Sequence, residues 1–427
     1  MGILPGFADE WVLTRILKAT GQAPIRLVVK GGADVSPPGI SPVATVVLED
    51  RNTLTRLLRD PEVSFGDAYM DGKIEVEGDF VRFLEEVYRA MENAPAAGKW
   101  YSRLASKWLD FWQDNSPTGS RKNIHRHYDL GNDFYKLWLD EQMLYTCAYF
   151  PTPSSTLEQA QIAKMDHVCR KLRLQPGETV VEAGCGWGAL ALHMAREYGV
   201  SVKAYNVSHE QIAFARERAR AEGLGDRVEY IEDDYRAISG KFDVFVSVGM
   251  LEHVGLDHYQ EFSEIIHRSI GDDGRGLLHF IGRNCPAVYS RWMRKQIFPG
   301  AHIPSLRSAL KILEPESYSV LDVENLRMHY AKTLEHWLER FESSRQQVTA
   351  MYDSRFVRAW RLYLAGSIAA FRVGDLQLFQ ILFTGSQREP IFWTRDPLYS
   401  DEKPVAEDAR PVVEKVREKV KWTHAMS

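Results

Sequence analysis

Apolar and polar positions alternate over short runs, and their spacing predicts the elements. Ile3, Leu4, Phe7, Trp11, Leu13, Ile16 and Leu17 mark an amphipathic opening helix. Ile25 to Val29 and Ala44 to Leu48 alternate as strands, with Pro37-Pro38-Gly39 breaking the chain between them. Asp79 precedes a helix whose apolar face carries Phe80, Phe83, Leu84 and Val87. Trp100, Leu104, Trp108, Phe111 and Trp112 recur at helical spacing, and such a stripe reads as core-facing. The polar stretch 114–120, with Pro117 and Gly119, reads as a loop.

From Thr179 the pattern becomes strand and helix in turn. Strands are expected from Thr179, at Ser201 to Val207, Arg227 to Ile231, Phe242 to Val248 and Gly276 to Ile281. Helices are expected at Ala189 to Ala195, Ser208 to Glu222 with Ser208 as cap, and Tyr259 to Ile270. Alternation with short connections predicts an α/β fold with a doubly wound, Rossmann-like parallel sheet. A smaller α+β domain precedes it. The expected division is 1–97, an accessory lipid-binding or dimerisation domain; 98–120, a linker helix and loop; 121–400, the main domain; and 401–427, a charged tail.

The first strand of that sheet runs into Glu182-Ala183-Gly184-Cys185-Gly186-Trp187-Gly188. Strand, glycine turn and helix bring backbone close to a nucleotide-like ligand. Gly184, Gly186 and Ala189 also fit a dinucleotide fingerprint, but that pattern needs an acid about 20 residues on. Asn206 stands there instead. The spacing suits an S-adenosylmethionine methyltransferase better.

Composition narrows the partners. An apolar fraction of 44% over 427 residues is ample for real cores, and a net charge of −5 gives no reason to expect nucleic acid. Cys147, Cys169, Cys185 and Cys285 form no C-x-x-C pair, which favours free thiols in a reducing cytoplasm. No apolar run reaches membrane-span length and no signal peptide is apparent, so any membrane contact is expected to be peripheral, at the inner face.

Chemistry-bearing residues fall at the carboxyl ends of the expected strands, where such sheets bind ligands. They are Glu182, Asn206, Asp234, Glu252 and His279. Asn206 and Gln211 suit a ribose or carboxylate, and Asp234-Tyr235 an adenine end. Glu252 follows an apolar run, so it needs a partner or a raised pKa. His125 and His127 have no clear third ligand nearby, which leaves metal unsupported. Arg291-Trp292-Met293-Arg294-Lys295 mixes cations with apolar groups and could meet an anionic lipid surface or form a lid with solvated cations. Residues 410–421 repeat the theme and read as a docked tail helix.

The chain resembles the cyclopropane-fatty-acid synthase family, including the mycolic acid cyclopropane synthases. The matching stretches are His127-Tyr128-Asp129-Leu130-Gly131-Asn132, Tyr145-Thr146-Cys147-Ala148-Tyr149-Phe150, the glycine turn, Gly249-Met250-Leu251-Glu252-His253, Ile297-Phe298-Pro299-Gly300 and Tyr330-Ala331-Lys332-Thr333. The resemblance implies an S-adenosylmethionine-dependent enzyme acting on the double bond of a phospholipid acyl chain, and a homodimer is expected. It implies a bicarbonate pocket of Cys147 (through backbone), Glu252, His279, Ile281 and Tyr330. It implies cofactor contacts from Tyr145, Thr146, Glu182, Gly184, Gly186, Asn206, Val207, Gln211, Asp234 and Tyr235. The chain departs from the family pattern at Glu182, usually Asp, at Asn206, usually Thr, and at Phe280.

Overall fold

The computed structural model describes residues 5–93, 130–386 and 394–399. The expected 98–112 helix, the 114–120 loop, His125, His127 and the 410–421 helix lie outside the described residues. The opening helix α1 spans Pro5–Ala19. A four-stranded sheet follows, ordered β2-β1-β3-β4, from β1 (Ile25–Val29), β2 (Asp34–Val35), β3 (Ala44–Leu48) and β4 (Ile74–Gly78). Helices α2 (Arg51–Arg59), α3 (Pro61–Met70) and α4 (Phe80–Asn93) complete this N-terminal unit.

The second sheet has seven strands in the order β10-β11-β9-β8-β5-β6-β7. The parallel part is β5 (Thr179–Ala183), β6 (Ser201–Asn206), β7 (Val228–Glu232), β8 (Val244–Val248) and β9 (Arg275–Gly282). Its strand order reverses between β5 and β8, the place where doubly wound sheets open a crevice. Helix α5 (Leu157–Leu172) precedes β5. Helices α6 (Ala189–Tyr198), α7 (His209–Ala221) and α8 (Tyr259–Ile270) make the crossovers. Ser208 caps α7, its side chain accepting from the Gln211 N–H. Val180, Val181, Val244 and Val246 have no exposed surface; burying each contributes roughly 1.5–3 kcal/mol.

The parallel expectation ends at β9. Strands β10 (Ser319–Asn325) and β11 (Gln377–Thr384) extend the sheet antiparallel, with Gln380 directly opposite His279. Every residue of β11 is buried. Between them run the long helices α10 (Arg327–Ser343) and α11 (Ser354–Val373), after the short α9 (Arg291–Gln296).

The N-terminal unit docks on α9 and α11. Arg291 pairs with Asp60, and Lys295 with Asp67 at 2.7 Å. Arg358 reaches Glu75 at 2.9 Å, and Arg372 reaches Glu85 at 2.7 Å. Trp292 packs onto Gly66, where an added Cβ would lie 2.3 Å from the indole. Arg291 and Lys295 of α9 therefore clasp the N-terminal unit while their side chains stay 41% and 54% exposed.

Candidate active site

The glycine turn needs its three glycines for three reasons. All have positive φ, +84° at Gly184, +54° at Gly186 and +81° at Gly188. A Cβ at Gly188 would meet the Tyr230 hydroxyl at 2.5 Å, and that hydroxyl donates to the Gly188 carbonyl at 2.7 Å. A Cβ at Gly184 would press on Met250 at 3.0 Å. A Cβ at Gly186 would meet nothing within 4 Å, because it would enter an open cavity.

That cavity is lined by Tyr145, Thr146, Glu182, Gly184, Gly186, Asn206 and Gln211 among the expected cofactor residues. Val207, Asp234 and Tyr235 are not in its lining; Asp234 instead caps the turn after β7 and pairs with Arg236. Asn206 donates to the Gly186 carbonyl at 3.2 Å and to Gln211 Oε1 at 2.6 Å. Gln211 Nε2 and Glu182 Oε2 are buried with no partner. Unpaired buried donors and acceptors are costly, so they point to a ligand that completes them.

A second cavity collects all five residues expected for the anion pocket: Cys147, Glu252, His279, Ile281 and Tyr330. Tyr145, Thr146, Gly249 and His253 line both cavities and form the wall between them. The rest of its surface is largely apolar, from residues such as Phe298, Tyr363 and Phe371. Tyr145 and Tyr363 join their hydroxyls at 2.7 Å, and Tyr330 packs on Phe371 with centroids 4.7 Å apart.

Glu252 sits on the turn after β8. Its Oε1 accepts from the Ile281 N–H at 2.6 Å, while Oε2 has no partner. Burial pushes this carboxyl up to about 7, against the opposing Ile281 N–H. Ile281 thus acts on the cavity by holding Glu252. Gln380 Nε2 lies 3.0 Å from His279 Nδ1. With the amide donating to Nδ1, the ring hydrogen sits on Nε2, which is buried without a partner. Burial, helped by Lys164 and Lys171, holds this imidazole far below its usual range, so it is neutral. The Cys147 thiol donates to the Ala148 carbonyl at 3.1 Å, and burial raises its pKa strongly, favouring the neutral thiol. Sequence reasoning missed Gln380, although a glutamine in the apolar run Leu378-Phe379-Gln380-Ile381 signals a buried polar pair.

Glu252 also sets a pH signature. Its folded pKa lies above the unfolded value, so the stability it contributes is full below about pH 4.5 and is lost as pH rises through about 7. That shift corresponds to roughly 3 kcal/mol. Glu252→Gln should therefore melt about 3 °C higher than the parent at pH 8.5 and match it at pH 4.5. Calorimetry at the two pH values checks this; equal melting points at pH 8.5 would contradict a buried, raised carboxyl.

A parallel sheet carrying this glycine turn, with a polar crevice at the switch point, defines a class I-type S-adenosylmethionine-dependent methyltransferase. Comparison with known proteins narrows the class. The model of the mycolic acid cyclopropane synthetase family matches residues 115–381, and a domain of unknown function (DUF7884) matches 13–97. The probable fatty acid methyltransferase of Pseudomonas putida is 37% identical over 355 residues, covering 81% of this chain and 88% of that one. The cyclopropane-fatty-acyl-phospholipid synthase of Escherichia coli K12 is 36% identical over 345 residues, covering 80% and 88%. The crystal structure of the mycolic acid cyclopropane synthase CmaA1 complexed with SAH and CTAB superposes with a TM-score of 0.59 at 30% identity, covering 62% of this chain and 97% of that one. The chain belongs to the mycolic acid cyclopropane synthetase family.

Proposed function

We propose that the protein transfers a one-carbon unit from S-adenosylmethionine to the double bond of an unsaturated phospholipid acyl chain and closes a cyclopropane ring, with hydrogencarbonate as the base. The observation that carries this reading is the pair of unpartnered atoms in the second cavity. Glu252 Oε2 is an acceptor when ionised, and His279 Nε2 is a donor in the tautomer in which Gln380 Nε2 donates to Nδ1. Hydrogencarbonate offers one O–H and two acceptor oxygens, which matches that set. Tyr330, Ile281 and the Cys147 backbone complete the proposed anion site. Tyr145, Thr146, Glu182, Gly184, Gly186, Asn206, Val207, Gln211, Asp234 and Tyr235 are the proposed cosubstrate residues.

When bound, S-adenosylmethionine supplies an activated methyl group and hydrogencarbonate supplies a base. The residues do the rest. The wall of Tyr145, Thr146, Gly249 and His253 brings the two cavities together, so donor and alkene meet in a fixed approach. Methyl addition leaves positive charge on the acyl chain, and the faces of Tyr330, Phe371 and Phe298 stabilise it in a dry site. A carboxyl near 7 at Glu252 can receive a proton at Oε2. Loss of a proton from the added methyl closes the ring, whereas loss from an adjacent chain carbon restores a double bond and leaves a methyl-branched alkene.

Two measurements test the reading. Turnover in buffer stripped of carbon dioxide should fall at least about tenfold and return on adding bicarbonate; unchanged turnover removes the base. The substrate also requires contact with a membrane surface. Among the described residues no helix is long and apolar enough to cross a membrane, so the contact proposed is peripheral. The chain should sediment with anionic vesicles at low salt and release as salt rises. Because Arg291 and Lys295 are engaged by Asp60 and Asp67, Arg291→Ala and Lys295→Ala should leave vesicle association within about twofold. Absence of sedimentation at low salt counts against a peripheral contact.

A further inference from the structure

Lys164 projects from the inner face of α5 and is 1% exposed. It lines the cosubstrate cavity beside Glu182 and Gly184. Its ammonium donates to Thr146 Oγ1 at 2.8 Å. Among the described residues it has no ion pair. Asp140, an acid that acts on it, spends its two oxygens on the N–H groups of Leu144, at 3.0 Å, and Gln142, at 2.9 Å. A buried ammonium with donors to spare is expensive unless an anion completes it.

The neighbouring acid has the opposite need. Glu182 is 2% exposed, and its Oε2 has no partner. Burial drives both groups toward their uncharged forms, the lysine down to about 8 and the carboxyl up to about 8, while the charge of each opposes the shift of the other across the cavity without an ion pair forming. A cation short of an anion and an acid short of a donor, lining one cavity, are complementary to an α-amino acid. S-adenosylmethionine has one such end.

The rest of the cavity agrees with that placement. Asn206 and Gln211 offer amides suited to the ribose. The reactive methyl must face the wall shared with the second cavity, at Thr146 and Gly249. The methionyl end, carried on the same sulfur as the methyl, then lies beside Glu182 and Lys164, which reaches that wall at Thr146.

We infer that Lys164 binds the α-carboxylate of S-adenosylmethionine while Glu182 takes its α-ammonium. The inference rests on the cosubstrate assignment and is independent of the acceptor lipid.

The probe is decarboxylated S-adenosylmethionine, which keeps the adenosine, sulfonium and amine but lacks the carboxylate. Calorimetric titration of the full chain should show it binding at least about tenfold more weakly than S-adenosylmethionine. Lys164→Met should weaken S-adenosylmethionine by about tenfold or more and leave the decarboxylated ligand within about threefold. Lys164→Gln should behave the same way and serves if the Met variant does not fold. Equal binding of both ligands to the unaltered chain overturns the inference, whatever the variants do. So does a variant that weakens both ligands equally, since that is what a lysine merely bracing Thr146 would give. If the unaltered chain binds neither ligand, the cosubstrate assignment falls first and the inference with it.

Discussion

Glu252→Gln should lower turnover by about three orders of magnitude while leaving S-adenosylmethionine binding within about threefold. The two cavities separate the effects. Glu252 lines the second cavity and is absent from the lining of the cosubstrate cavity. The amide can keep the local fold, because its oxygen still accepts the Ile281 N–H that Glu252 Oε1 accepts at 2.6 Å. Its nitrogen then faces the place where Oε2 stood. An acceptor becomes a donor, and a group able to take a proton near pH 7 becomes one that cannot. The deficit should appear in the chemical step. His279→Ala should cost a similar factor by removing the Nε2–H donor. The double variant should lose far less than the product of the two factors, because both side chains serve one bound ion. Near-normal turnover of Glu252→Gln, with normal cosubstrate binding, would sink the anion pocket and favour a methyl-branching reaction with another base.

Gly186→Val should weaken S-adenosylmethionine binding by at least about a hundredfold, through two separate costs. The backbone at φ +54° suits glycine, and a β-branched residue there is strained by about 1–3 kcal/mol. The added side chain would also project into the cavity, which Gly186 lines and where nothing beyond its chain neighbours lies within 4 Å of its Cβ. Gly177→Ala separates these costs. Gly177 also has positive φ, +88°, and open space around it, but it precedes β5 and does not line the cavity. It should lose stability and keep cosubstrate affinity. Comparable loss of affinity in both variants would mean that backbone strain alone is being read.

The parallel strands and the glycine turn were legible because both are local patterns. Thr179-Val180-Val181 is β-branched throughout, and Ser208 announces a cap three residues before the Gln211 N–H it receives. The bounds of β7 and β8 fell one or two residues from expectation, as strand ends do when flanking residues are also apolar or polar enough to extend. Strands β10 and β11 were missed because an antiparallel return over two long helices leaves no local signature. Gln380 carries a local signal as a glutamine inside an apolar run, but its partner His279 lies 101 residues away and is seen only in the folded chain. The ion pairs of Arg291 and Lys295 were hidden in the charge run because their partners, Asp60 and Asp67, lie more than 200 residues earlier. A charge pattern shows that a cation exists, whereas tertiary packing decides what it meets. Lys164 passed unnoticed because a lysine in an amphipathic helix is ordinarily solvated.

The most direct test of the central claim follows the methyl hydrogens. The purified chain is incubated with unsaturated phospholipid vesicles, bicarbonate and S-adenosylmethionine carrying a fully deuterated methyl group, and the acyl chains are analysed by mass spectrometry. Ring closure through loss of one hydrogen from the added methyl requires that the product keep two of the three deuteriums and gain no mass on mild hydrogenation, which would reduce an isomeric methylene chain. Retention of all three would show a methyl branch instead, and an unaltered lipid would contradict acyl-chain alkylation altogether.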